Sequence, residues 1–104
     1  MSNRVTEVHL QAIVDRLNKL TNSPSESYTR ESDGRLRANI GNYHLSFAYG
    51  GVSLHRMANE SGGVSTPLYT GHIPKRELAE RLHAYIYGIQ AGLELAKNQE
   101  RAEA

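Results

Sequence analysis

Between the dipeptides Asp33-Gly34, Gly41-Asn42 and Gly50-Gly51 the chain alternates apolar and polar residues. The apolar positions are Leu36, Ala38 and Ile40, then Tyr43, Leu45, Phe47 and Tyr49, then Val52 and Leu54. No other feature narrows the fold as much. Glycine and asparagine reach positive φ at low cost, so each dipeptide suits a tight hairpin. A period of two marks antiparallel strands buried on one face only. A first strand is expected from Glu26 to Glu31, where weak apolar content suits a sheet edge. A short fifth is expected from Val64 to Tyr69, held to an edge by Pro67.

Helical periodicity brackets this region. Leu10, Ile13, Val14, Leu17 and Leu20 recur at three- and four-residue spacing between Thr6 and Thr21, and Asn22 and Pro24 end the run. Near the other end Pro74 and Glu77 suit a helix start. Leu78, Leu82, Tyr85, Ile86, Ile89 and Leu93 then form one apolar stripe, with fraying expected between Ala96 and Gln99. The expected fold class is α+β: an antiparallel four- to five-stranded meander with N- and C-terminal helices packed on one face. The order α-β-β-β-β-(β)-α buries all three apolar surfaces with two layers. Residues 1–4 and 98–104 are expected to be mobile tails.

At 104 residues the chain has room for one domain, spanning 1–104. It contains no cysteine, which excludes disulfide scaffolds, thiolate metal sites and a cysteine nucleophile. Twelve Lys+Arg against eleven Asp+Glu give a net charge of +1, so total charge alone selects no polyanionic partner. No apolar run suits a membrane span or signal peptide, and the expectation is a soluble, cytoplasmic protein.

Two-residue turns set register and therefore faces. Across Gly41-Asn42, Ile40 would face Tyr43, Ala38 Leu45, and Leu36 Phe47. Across Gly50-Gly51, Tyr49 would face Val52 and Phe47 Leu54. The opposite, open face would then carry Tyr28, Arg30, Arg35, Arg37, Asn39, His44, Ser46, Ser53, His55 and Met57, with no carboxylate. Arginine forks and a tyrosine ring suit a phosphate, a nucleotide or an acidic protein surface. The plain alternative is a sheet face that is simply solvated. On the last helix Ala84, Gly88, Gly92 and Ala96 recur every four residues. Helical glycine costs about 1 kcal/mol relative to alanine. A close backbone approach is therefore expected there, either within the chain or from a second subunit in a homodimer. Tyr87 and Tyr69 are candidate exposed interface aromatics.

His9, His44, His55, His72 and His83 have no metal-type spacing, although His44 and His55 are expected as diagonal neighbours on the open face. There is no nucleophile elbow, and no glycine pair precedes a helix as a phosphate loop would. No enzyme activity, metal or cofactor is expected.

The run from Asn42 to Leu54 is aromatic-rich and holds a Tyr-Gly-Gly hairpin. With the loop Asn59 to Val64 and the Lys75-Arg76-Glu77-Leu78 helix start, it resembles a pattern in small phage and prophage accessory proteins. The resemblance covers about half the chain and carries no site residue. It implies a dispensable phage gene that binds a host macromolecule, with host takeover or anti-defence as the context. The order helix, strands, helix also resembles double-stranded RNA-binding domains, in which a lysine cluster opens the last helix. Lys75-Arg76 is a thin version, interrupted by Glu77 and Glu80, and the extra strand and glycine loop depart from that pattern. Three function classes follow: a phage-type binder of a host protein, a nucleotide or nucleic-acid binder, and a small oligomeric assembly protein.

Overall fold

The computed structural model describes residues 4–103; most of the expected N-terminal tail and the final residue lie outside them. Helix α1, Glu7–Leu20, starts where the Thr6 side chain accepts a hydrogen bond from the His9 N–H at 3.1 Å. It buries Leu10, Ile13, Val14 and Leu17 on one stripe. The Thr21 hydroxyl donates to the Leu17 carbonyl at 2.8 Å, and Asn22 turns left-handed at φ 55°.

Five strands follow: β1 Tyr28–Arg30, β2 Leu36–Ala38, β3 Tyr43–Ala48, β4 Gly51–Met57 and β5 Val64–Ser65. They form two small antiparallel sheets, β1-β2 and β3-β4-β5, so the fold is α+β without the single expected meander. The expected β2–β3 hairpin is absent. Its place is taken by a turn in which the Asn42 N–H donates to the Asn39 carbonyl at 3.1 Å, with Gly41 at φ 93°. The reason lies on the edge of β3. The Asn18 amide, reaching out of α1, accepts the Tyr43 N–H at 2.8 Å and donates to the Tyr43 carbonyl at 3.0 Å. That slot on β3 is where β2 would have paired. Asn42, also buried, donates to the Pro24 carbonyl at 2.8 Å and accepts from the Ser27 hydroxyl at 3.0 Å, fixing the corner between the sheets. Leu36 and Ile40, expected on the covered side, are half exposed because β1-β2 stands apart from the helices, and Phe47 of β3, also expected there, is half exposed too.

The β3–β4 turn also differs from expectation. Tyr49 and Gly50, at φ 53° and 75°, are its central residues, and the pairs are Ala48↔Gly51, Phe47↔Val52 and Leu45↔Leu54. Positive φ at both positions is what a tight primed hairpin demands. Gly51 is claimed by the strand instead: a Cβ there would lie 2.8 Å from the His72 carbonyl carbon. The register therefore slips by two residues, which preserves the alternation of faces. β5 pairs only at Arg56↔Ser65 and Met57↔Val64; further along β4, Val52 and Ile73 exchange backbone hydrogen bonds at 2.8 and 2.9 Å. Residues 66–72 loop out between these two attachments.

The α1 stripe joins Tyr43, Val52 and Leu54 of the hairpin and Leu78, Ala79, Leu82 and Ile86 of α2 in one apolar cluster. Helix α2, Lys75–Glu103, has 29 residues, about 43 Å at 1.5 Å per residue. Only its first half is buried. α1 ends at Leu20, so Leu93, expected on the covered stripe, is 46% exposed. The fraying expected between Ala96 and Gln99 is not seen, and α2 continues to Glu103. The protruding half lengthens the molecule, whose radius of gyration is 15.9 Å where a compact chain of this length has about 13 Å.

Candidate functional site

The structure does not bring the expected arginine face together. Cross-strand partners share a face. The pairs Tyr28↔Ala38 and Arg30↔Leu36 therefore place Tyr28 and Arg30 on one side of the ribbon, and Thr29↔Arg37 places Arg37 on the other. Each arginine is also engaged locally. Arg30 Nη1 donates to the Gly34 carbonyl at 3.0 Å, Arg35 lies 3.5 Å from Asp33, and Arg37 lies 3.3 Å from Glu31. The carboxylates absent from the expected face stand beside it after all. Exposed pairs of this kind contribute at most about 1 kcal/mol.

His44 and His55 are directly opposite rather than diagonal, with ring centroids 5.7 Å apart and edge to face. The face they share is not open. Residues 66–72 lie over it: His72 stacks edge-on against His55 at 6.2 Å and Tyr49 at 5.6 Å, and its Nε2 is 3.2 Å from the Ser46 hydroxyl. The Ser53 hydroxyl donates to the Thr70 carbonyl at 3.4 Å, and Ser53 and Met57, expected exposed, are buried. Burial, and then the neighbouring His55, hold His44 below the ordinary histidine value, against a hydrogen bond with Asn42 that favours its charged form. Burial and His72 likewise lower His55. Among the described residues no three metal-ligating side chains converge to hold an ion.

On α2, Ala84, Tyr87, Gly88 and Gly92 are all exposed. A Cβ at Gly88 or Gly92 would meet no atom within 4 Å, so these glycines serve no close packing within the chain.

The arrangement with the most chemistry was not among the expected site residues. Arg56 follows Val52 and Leu54 on the inward parity of β4, where an apolar residue belongs, and that misplaced charge was its signal in the sequence. Its guanidinium lies 5.6 Å from the centroid of the Tyr43 ring, a cation–π contact, and no acidic side chain pairs with it among the described residues. The Tyr43 and Tyr85 hydroxyls are 3.0 Å apart, their rings edge to face at 6.1 Å. Burial first, and then the hydrogen bond to Tyr43, push the Tyr85 hydroxyl up to about 12. Tyr85 is therefore a neutral hydrogen-bonding group at physiological pH. Arg56, these two tyrosines, Ser65, Thr66 and Tyr69 line an open groove of about 460 Å³ between β4, β5 and α2. Tyr69 rises beside it at 94% exposure, in the left-handed region at φ 53°. One cation, four hydroxyls and a free aromatic plane are the complement of an anion attached to a flat ring. A second groove of about 410 Å³, between Leu20 and the exposed half of α2, mixes Glu94 with Lys97 and Arg101 and offers no such convergence. Comparison with protein-family models, with curated proteins and with solved structures returns no match.

Proposed function

We propose that this chain is a non-enzymatic binding protein whose Arg56 groove holds the phosphate of a nucleotide while Tyr69 stacks on its base. The observation that carries the reading is an exposed arginine on the helix-facing parity of β4, with no acidic partner among the described residues and flanked by the Tyr43 and Tyr85 hydroxyls. A cation retained there without a carboxylate leaves its fork of donors free for an oxyanion. Ser65 and Thr66 add hydroxyls at the groove wall.

The test is an amide NMR titration with the 5′-phosphate methyl ester of adenosine, which carries one constant charge, beside free adenosine. Shifts centred on Arg56, Ser65, Thr66 and Tyr69, lost in a folded Arg56→Gln variant and much weaker with adenosine, are expected. No shift at millimolar ester, or shifts centred on Arg35 and Arg37, would overturn the reading.

The phage-type role in binding a host protein is the second proposal. It is favoured by Tyr49, Tyr69 and Tyr87, which stand 96, 94 and 75% exposed, since exposed aromatics are what protein interfaces concentrate.

A further inference from the structure

The loop that supplies Thr66 and Tyr69 to the Arg56 groove is the same loop that covers the histidine face. Its ends are fixed, by β5 at Ser65 and by the Val52–Ile73 backbone pair. Its middle is held against local cost. Tyr69 sits at φ 53°, a region a bulky side chain rarely adopts. The Thr70 hydroxyl is buried with no hydrogen-bond partner among the described residues. What seats it are contacts to imidazoles and serines: His72 against His55, Tyr49 and the Ser46 hydroxyl, and the Thr70 carbonyl on the Ser53 hydroxyl.

We infer that residues 66–72 form a proton-sensitive latch, seated on the neutral imidazoles of His44 and His55 at neutral pH and released when these are charged in mild acid. The release withdraws Thr66 and Tyr69 from the groove and weakens ligand binding. This inference rests on the groove being the binding site.

The polar groups in contact with the histidine row come from both strands, the hairpin turn and the loop. β3 contributes His44, Ser46 and Asn42, β4 contributes Ser53 and His55, the hairpin turn contributes Tyr49, and the loop contributes Thr70 and His72. Arg56, next in β4, points to the opposite face, over Tyr43. Among the described residues none of these histidines is ion-paired. Charging two stacked imidazoles thus sets like charges side by side with no counter-ion between them. The seated loop holds His55 below the ordinary value of 6.5, through burial first and then His72, so the seated form binds fewer protons than the released form. Seating is therefore fully favoured above 6.5 and is lost as the pH falls through the lowered value.

The free protein reads the latch and the ligand reads the groove, so the two can fail separately. Amide NMR of residues 66–72 is followed from about pH 7.5 to about pH 5.5, with the core signals of Val14 and Leu82 as the check on global folding. The expected result is that Thr70 and His72 change in step with the histidine ring titration while the core signals hold. His72→Gln, which keeps a hydrogen bond to Ser46 but removes the imidazole that faces His55, is expected to abolish most of the loop change. Affinity for the adenosine phosphate methyl ester is expected to fall about five- to tenfold over the same range in the native chain, and less than about twofold in His72→Gln. Loop amides that stay fixed, a His72→Gln loop that still releases, or loss of the core signals together with the loop would each overturn the latch. A loop that releases beside an ester that fails to bind even at about pH 7.5 would overturn the groove reading and, with it, the inferred effect on binding.

Discussion

Asn18 is where a single side chain decides which strands can pair, and Asn18→Ala measures that. Its amide makes two buried hydrogen bonds, 2.8 and 3.0 Å long, to the N–H and carbonyl of Tyr43. Each contributes a net of about 1 kcal/mol, and an orphaned buried backbone group costs about 1–3 kcal/mol. Removing both contacts at once is therefore worth about 2–5 kcal/mol. Alanine is the better helix former by about 0.5 kcal/mol, which works against the loss and leaves a net of about 1.5–4.5 kcal/mol. Small domains are stable by about 5–15 kcal/mol in total, so the melting temperature should fall by roughly 10 °C or more. Urea unfolding followed by far-UV circular dichroism gives the value, with an unchanged m-value showing that the denatured state is not the cause. Asn18→Asp sharpens the test. It keeps an acceptor for the Tyr43 N–H but sets an oxygen against the Tyr43 carbonyl, so it should be about as destabilised as the alanine variant at neutral pH. A loss below about 0.5 kcal/mol for Asn18→Ala, the range of an ordinary surface change, would refute the idea that Asn18 holds the edge of β3.

Two more outcomes follow from the same geometry. Gly88→Ala with Gly92→Ala should stabilise the monomer by about 1–2 kcal/mol in urea unfolding, because neither new Cβ meets an atom within 4 Å and alanine favours the helix; a loss of stability would mean that another backbone approaches there. Tyr85 should ionise at about 12 in an ultraviolet titration. Since its value is raised, the stability it contributes is present below 10 and lost as the pH rises from 10 towards 12. Tyr43→Phe should bring that value down while burial keeps it above 10, and an unchanged value would remove the Tyr43 hydrogen bond as a cause.

Both helices were legible in the sequence, as was the division of β3 and β4 into an inward and an outward set. Periodicity is local, and the two-residue slip at the Tyr49-Gly50 turn leaves that division intact. The turn itself was misplaced by one residue because Gly51 is required by His72, which is 21 positions away, a contact no local pattern records. The same holds for the arginines: alternation alone put Arg30, Arg35 and Arg37 on one face, but that needed β2 to pair with β3. Asn18, separated from Tyr43 by 25 positions, takes that edge instead. Arg56 was readable as a charge on inward parity, yet its groove exists only because β5 and α2 bring Ser65, Thr66 and Tyr85 to it. The apolar stripe of α2 extends to Leu93, but how much of it is covered depends on where its neighbour ends. The sequence by itself thus determined the elements and their faces, because these follow from side-chain periods of 2 and 3.6. Only the tertiary structure decided strand pairing, the covering of the histidine face and the composition of the groove, because each turns on one polar side chain or loop meeting a strand far away in the chain.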